Sequence, residues 1–300
     1  MIENYNSKIK VYAPAKINLT LEILNKLKNN FHEILSVMQT VNLFDEIEFE
    51  VLKNENKIII TSNCDELKAD DRNLVYRISK DFLKEFKINF GLRINILKKI
   101  PIGAGLAGGS SDCAATLKTL IKLFDINLDN KKIAEICFRY GSDVLFCFFG
   151  GTIIASGTGN ILQKINTHPE INILLITPDI FISTKDIYNL YDEQKKKEII
   201  FNKRKLYSHE LTKAIEEKNM FKIANNLKND FEEIVFKIYP EIKKIKKLLI
   251  SNGALGASLS GTGSSVFGYF IDKNDAIKAK EKIKSLFLNS KNFVLKIFNP

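Results

Sequence analysis

One segment, Pro101-Ile-Gly-Ala-Gly-Leu-Ala-Gly-Gly-Ser-Ser-Asp112, limits what this chain folds into more than any other. Before it, Leu92, Ile94 and Ile96 alternate as a half-buried strand does; after it, Ser110–Phe124 reads as a helix. A strand that turns through four glycines within seven residues into a helix leaves backbone N–H groups free to close around an anion. The unbonded N–H groups of the helix start aim a partial positive charge at the same point. Ser110 and Ser111 are placed either to cap the helix or to bond a phosphate or its magnesium, and Lys98 and Lys99 bring cationic charge from upstream. Phosphate binding is expected here, against the plain alternative of a glycine-rich turn. A β-branched residue at Gly105 is expected to abolish nucleotide binding and leave the fold intact.

Three phosphate-binding templates fail on context. Gly103, Gly105 and Gly108 satisfy G-x-G-x-x-G, but a dinucleotide fold needs an acidic residue on a second strand about 20 positions later. Here Asp125 and Asp129 fall between two predicted helices. A Walker A loop needs lysine after its last glycine, where this chain follows Gly109 with serine. A protein kinase needs H-R-D and D-F-G downstream, and both are missing.

Around the loop the pattern is mixed. Lys8–Ala13, Ile17–Leu24, Asp45–Leu52, Leu145–Ile154, Ile171–Thr177, Val266–Ile271 and Phe293–Phe298 read as strands. Asn73–Phe86, Asn130–Tyr140, Thr184–Tyr191, Ser208–Lys218, Phe221–Asp230, Tyr239–Ser251 and Asp272–Leu286 read as helices. Without regular βαβ alternation the class is α+β. Three hundred residues suit two domains, and the cluster of Gly, Asn and Thr at Gly157–His168 marks the expected boundary. Asp192–Lys205 is charge-dense and reads as a solvated connector, and Glu241–Leu249 as an amphipathic surface helix.

Hydrophobic residues at 45% and charged residues at 27% exclude wholesale disorder. The formal net charge of +10 favours anionic partners, which include nucleotides, nucleic acid and lipid headgroups. Cys64, Cys113, Cys137 and Cys147 are far apart, so reduced thiols in a cytosolic protein are expected rather than a zinc site. Val144–Gln163 and Gly253–Ile271 are uncharged throughout but are broken by Gly, Ser, Thr or Asn, and Met1–Lys10 is unlike a signal peptide. No membrane association is expected.

Two further places carry candidate chemistry. Lys16, in Ala13-Pro-Ala-Lys-Ile-Asn-Leu19, opens an alternating apolar run where a charge needs a reason. Asp143, in Gly141-Ser-Asp-Val144, either ends a helix or carries chemistry. A second small-residue loop, Gly256–Val266, permits close backbone approach to a ligand or another segment.

Pro14–Leu19, Pro101–Ala115, Gly141–Val144 and Ser260–Phe267 resemble, in this order, the motifs of the GHMP kinase superfamily, and Asn73–Tyr76 resembles a segment near its nucleotide pocket. Within the superfamily the segments are most similar to the branch acting on 4-diphosphocytidyl-2-C-methyl-D-erythritol in non-mevalonate isoprenoid biosynthesis. The resemblance implies a two-domain fold: residues 1–162 like ribosomal protein S5 domain 2, binding ATP, and 163–300 a C-terminal α+β domain. It implies transfer of the ATP γ-phosphate, with Mg2+, to the 2-hydroxyl of the cytidyl diphosphate substrate, by a monomer or weak dimer that binds neither nucleic acid nor membrane.

By the same resemblance Asp143 is the general base and Lys16 polarises the site. ATP is held by Ile102, Gly103, Ala104, Gly105, Leu106, Ala107, Gly108, Gly109, Ser110, Ser111 and Asp112, with Asn73 and Lys98. The second substrate meets Phe31, His32, Thr184, Tyr188, Gly261 and Thr262, His32 on the cytosine edge and the aromatics stacking. Phe31 stands where relatives have Tyr, Lys28-Asn29-Asn30 where many have Arg and Asp-Gly, and Ala107 where many have Gly, the last a mild narrowing of the loop. Two alternatives stay open: a GHMP kinase for homoserine or mevalonate, and an RNA-binding protein on an S5-like fold.

Overall fold

The computed structural model describes residues 8–28, 31–53, 55–165, 168–195 and 205–300. Its strands are β1 (Ile9–Asn18), β2 (Thr20–Lys26), β3 (His32–Leu52), β4 (Ile58–Ser62), β5 (Gly91–Leu97), β6 (Thr152–Gly157), β7 (Ile161–Ile165), β8 (Asn172–Thr177), β9 (Lys228–Asn229), β10 (Gly256–Leu259), β11 (Val266–Phe270) and β12 (Lys291–Lys296). Its helices are α1 (Leu74–Glu85), α2 (Gly108–Leu123), α3 (Asn130–Phe138), α4 (Ser142–Phe149), α5 (Thr184–Lys195), α6 (Tyr207–Glu216), α7 (Met220–Asn225), α8 (Glu232–Ile238), α9 (Pro240–Ser251) and α10 (Lys273–Leu286). The class is α+β.

By compactness the described chain forms two units. The first is drawn from Met1–Ala15, Leu43–Ile102 and Ala107–Phe149. In it Glu46–Leu52 of β3 pairs antiparallel with β5, and β5 pairs parallel with β4. Ile47, Phe49 and Val51 are buried while Glu46, Glu48 and Glu50 stay partly exposed, the alternation of a one-faced sheet. Helix α1 packs on α2 and β4, α2 on α4, and α4 on α3.

The second unit is drawn from Lys16–Asn42, Gly103–Leu106 and Gly150–Pro300. Here β3 pairs antiparallel with β2 on one side and β6 on the other, β6 continues to β7, and β2 pairs parallel with β9. A separate antiparallel sheet runs β10-β11-β8-β12. Leu174, Ile176, Val266 and Phe270 from that sheet share a core with Ile242, Ile245 and Leu249 of α9. Lys243, Lys244 and Lys247 stay exposed on the opposite face of α9, as its amphipathic pattern requires.

Two expectations need correction. The apolar run expected as strand Leu145–Ile154 is helix α4 as far as Phe149, and only then strand β6. Val144, Leu145, Phe146 and Cys147 are four consecutive buried residues, so the apolar run Val144–Phe149 shows no period to read. The helix expected to reach Asp230 stops at Asn225, because Lys228–Asn229 pairs with β2 and Asn229 Nδ2 donates to Leu259 O at 2.9 Å and Gly261 O at 2.8 Å. The stretch Gly157–His168 contains β7, the partner of β6, with Thr158 N–H donating to Asn160 Oδ1 at 3.0 Å in the turn.

Helix α2 starts without a side-chain cap. Its N-cap, Ala107, sits in the left-handed region at φ 54°, ψ 31°. The methyl group of Ala107 therefore acts through the backbone conformation rather than through the width of the loop: a Cβ in this region costs about 1–2 kcal/mol. Ala107→Gly is expected to raise the unfolding temperature by about 2 °C, measured by thermal melting. An unchanged or lower melting temperature contradicts this account.

Candidate active site

Lys16 and Asn18 are two residues apart on β1 and so share a face of the strand. Lys16 is only 3% exposed, and its Nζ donates to Asn18 Oδ1 at 2.5 Å. Asn18 Oδ1 also accepts from Gly261 N–H at 3.0 Å, and Asn18 Nδ2 donates to Ser36 Oγ at 2.9 Å. Asn18 N–H donates to Ser260 Oγ at 3.3 Å, and that hydroxyl donates to Gly105 O at 2.9 Å. Lys16 N–H reaches Leu106 O at 3.1 Å, and Ser265 N–H reaches Ala104 O at 3.2 Å. Four segments of the chain are thus bonded together. Neither Asn18 nor Ser260 was among the expected site residues; the available signal was an asparagine two places after a lysine in an apolar alternation.

Gly105 has a φ of +75°, and a Cβ there would overlap the carbonyl oxygen of Ser260. This corrects the expectation that a β-branched residue at Gly105 spares the fold. Gly103, at φ +64°, lies beneath the exposed ring of Phe181, 2.9 Å from where a Cβ would stand. Thr184 and Thr262 face each other across 3.1 Å between hydroxyls.

In the first unit, the first turn of α2 offers the N–H groups of Gly108, Gly109 and Ser110, which have no intrahelical acceptor. A Cβ at Gly109 would meet nothing within 4 Å. Ser110 is half-buried and Ile102 exposed. Ser111 is buried, and its hydroxyl donates to Pro14 O at 2.7 Å, which ties the helix start to β1. Asn73 caps α1, its Oδ1 accepting from Val75 N–H at 2.9 Å, and its buried Nδ2 has no partner among the described residues. Asp143, expected after a helix, stands half-buried in the first turn of the next one, α4.

Lys98 departs from its expected place. Its ammonium is buried and bonded to Asp45 and, at 2.7 Å, to Asp112 Oδ2, so it is not presented to a ligand as a free cation. Burial pushes the Asp112 carboxyl up to about 7 against the pull of Lys98, and Asp45 adds to the rise. Burial works to lower Lys98, but the two carboxylates outweigh it and hold the ammonium above its usual range.

A third cluster lies in the second unit. His32 is buried, and its Nε2 bonds Asp192 Oδ1 at 2.6 Å, while Lys26 pairs with Asp192 Oδ2 at 2.5 Å. Lys26 and His32 together hold the Asp192 carboxyl below its usual range, against the opposing effect of burial. The rings of His32 and Tyr188 lie 4.9 Å apart, and Tyr188 packs edge-on against Phe231. Phe31 is exposed. Asp192, expected in a solvated connector, is therefore an anchor of the His32 cluster; residues 196–204 of that connector, and Asn29 and Asn30, lie outside the described residues.

Among the described residues no group of three or more His, Cys, Asp or Glu side chains is placed to hold a metal ion. No described helix is long and apolar enough to cross a membrane.

Residues 73–151 match the family described as GHMP kinases N terminal domain, and residues 211–289 match GHMP kinases C terminal. The chain belongs to the GHMP kinases. It is 40% identical over 277 residues to 4-diphosphocytidyl-2-C-methyl-D-erythritol kinase of Caldicellulosiruptor bescii, covering 92% of this chain and 94% of that one. The kinase of the same name from Clostridium botulinum is 37% identical over 287 residues, covering 92% and 97%. A crystal structure of 4-(cytidine 5'-diphospho)-2C-methyl-D-erythritol kinase superposes with a TM-score of 0.81 at 24% identity, over 97% of this chain and all of that one. Homoserine kinase from Cytophaga hutchinsonii shares the fold at a TM-score of 0.76 and 20% identity, over 100% of this chain and 97% of that one.

The two glycines at 105 and 109 separate folding from binding. Gly105→Val is expected to lower the melting temperature and the yield of folded protein, because valine displaces Ser260. Gly109→Ala is expected to fold normally and raise the KM for ATP about tenfold, since its methyl enters only the space before the helix start. Equal melting temperatures for the two variants would remove the packing role assigned to Gly105.

Proposed function

We propose that this protein transfers the γ-phosphoryl group of ATP to the 2-hydroxyl of 4-diphosphocytidyl-2-C-methyl-D-erythritol and releases ADP. The observation that carries the reading is its 40% identity, across 92% of its length, to a kinase of that name. The matches at 73–151 and 211–289 fall on either side of residue 162, which supports an ATP-binding domain over 1–162 and a second domain over 163–300. The reading has the enzyme act in the cytosol on small soluble substrates, as a monomer or weak dimer.

The chemistry asked of the chain is positioning and charge stabilisation more than covalent help. Backbone N–H groups at Gly108–Ser110 hold phosphate oxygens, as an uncapped helix start does. The substrate hydroxyl oxygen bonds the γ-phosphorus while its proton passes to the Asp143 carboxylate. The bond from that phosphorus to the bridging oxygen breaks, and ADP leaves with the electron pair. Lys16, its ammonium oriented by Asn18, offsets the developing negative charge. Were Mg2+ to accompany ATP, the Ser110 hydroxyl at the helix start would help to hold it, and the ion would offset phosphate charge.

At the other end, Asp192 engages His32 Nε2, and Nδ1 is the ring nitrogen left to meet the cytosine edge. Tyr188, braced by Phe231, supplies the stacking face. A coupled ADP-release assay against the cytidyl substrate, homoserine and mevalonate tests the assignment, with turnover expected on the cytidyl substrate alone. Tyr188→Ala is expected to raise KM for that substrate about tenfold and leave KM for ATP unchanged, on the scale of base–aromatic stacking. A rise in KM for ATP instead would place Tyr188 on the nucleotide-triphosphate side.

Asp143→Asn keeps size and removes basicity, so kcat is expected to fall on the order of 10²–10⁴-fold with a small change in KM. Lys16→Met should be similarly impaired, and the double variant should lose less than the product of the two single losses. Near-normal kcat in Asp143→Asn would leave the aspartate as part of a helix start and nothing more.

A further inference from the structure

Lys98 follows β5 directly, and Asp112 lies on the second turn of α2, so the two residues stand at opposite ends of the glycine loop. Asp45 of β3 completes the set. Its Oδ1 accepts from Lys99 N–H at 2.6 Å and Ile100 N–H at 2.9 Å, and its Oδ2 accepts from Lys98 Nζ. The same ammonium donates to Asp112 Oδ2 at 2.7 Å. The Lys98, Asp45 and Asp112 side chains are 6%, 0% and 2% exposed.

The backbone on the strand side is held as well. Asn63 Oδ1 accepts from Lys98 N–H at 2.7 Å, and Asn63 Nδ2 donates to Lys98 O at 3.2 Å. On the helix side, Ala107 gives no side-chain cap, so the position of the first turn must be fixed otherwise. Lys98 Nζ lies 3.2 Å from where a Cβ of Gly108 would stand, and glycine there lets the ammonium sit beneath the helix start. Drawing the cation out toward a phosphate would strand two buried carboxylates, a costly arrangement.

We propose that Lys98 serves the phosphate site only through Asp45 and Asp112, the three side chains forming a buried clamp that fixes the exit of β5 against the start of α2. Asp45, Lys98 and Asp112 are then positioning residues for the N–H groups that hold ATP phosphate, and the proposal rests on the ATP reading of that loop. Asp112 Oδ1 is buried and has no hydrogen-bond partner among the described residues, so the carboxylate meets Lys98 through Oδ2.

The full-length Asp112→Ala, Asp112→Asn and Lys98→Met/Asp112→Asn variants test this through KM for ATP, KM for the cytidyl substrate, ADP affinity by calorimetry and melting temperature. Asp112→Ala is expected to weaken ADP binding and raise KM for ATP about tenfold, the scale of one charge-assisted hydrogen bond, with KM for the cytidyl substrate within about twofold. Asp112→Asn keeps an acceptor for Lys98 and should recover most of the loss. The double variant should bind ADP nearly as well as Asp112→Asn, because the new amide donates to Asp45. A double variant that melts normally but has lost ADP affinity would show Lys98 meeting phosphate directly and overturn the proposal. Unchanged nucleotide affinity in Asp112→Ala would overturn it too. A native protein that binds no ADP would overturn the ATP reading and the clamp's function with it.

Discussion

The approach of Gly105 to the backbone of Ser260 is the contact on which the bonded cluster around Asn18 depends. A Cβ at Gly105 would overlap Ser260 O, and one at Gly261 would come within 3.1 Å of Gly105 Cα. Only because both positions lack a side chain does Ser260 Oγ reach Gly105 O and stand where Asn18 N–H meets it. Asn18 then uses its remaining groups on Lys16, Gly261 and Ser36. A buried lysine needs such a partner, since an ammonium out of water without one is costly. The orientation of Lys16 is thus a consequence of backbone packing between residues 105 and 260.

The glycine loop and the α+β class were legible because both rest on local pattern: glycine spacing, apolar alternation and helix periodicity. The resemblance likewise proposed Lys16, Asp143, His32 and Tyr188 through short motifs. What sequence did not show was pairing. Lys98 next to a phosphate loop reads as a free cation until Asp45, 53 positions away, is brought beside it. Asp192 reads as one charge among many until β2 and β3 place Lys26 and His32 against it. Helix α4 was misread for a related reason: tertiary packing buries four consecutive residues, Val144–Cys147, which erases the period that a strand or an amphipathic helix would carry.

The net charge of +10 therefore says little about the site itself. Many basic side chains are already matched: Lys98 with two aspartates, Lys26 with Asp192, Lys246 with Glu232, Arg139 with Glu85 and Glu135. Long-range attraction for an anion is screened over about 8 Å at physiological ionic strength. Excess charge draws nucleotides toward the protein, but it does not select where they bind. Selection falls to groups with fixed direction.

Those groups differ at the two ends of the proposed substrate pair. Phosphate is alike from every nucleotide, and backbone N–H groups at a helix start recognise it with no side chain at all. That is why glycine spacing alone suggests such a site, and why the proposed loop asks for small residues rather than particular ones. A cytosine ring has a polar edge and two faces, so its recognition needs a hydrogen-bonding ring nitrogen held in one tautomer and an aromatic held in one orientation. In the proposed reading these are His32, bonded through Nε2 to Asp192, and Tyr188, packed against Phe231, with both supports contributed by distant segments. Backbone recognition leaves its trace in local composition. Side-chain recognition is written in long-range packing, and only a structure or a family resemblance brings it into view.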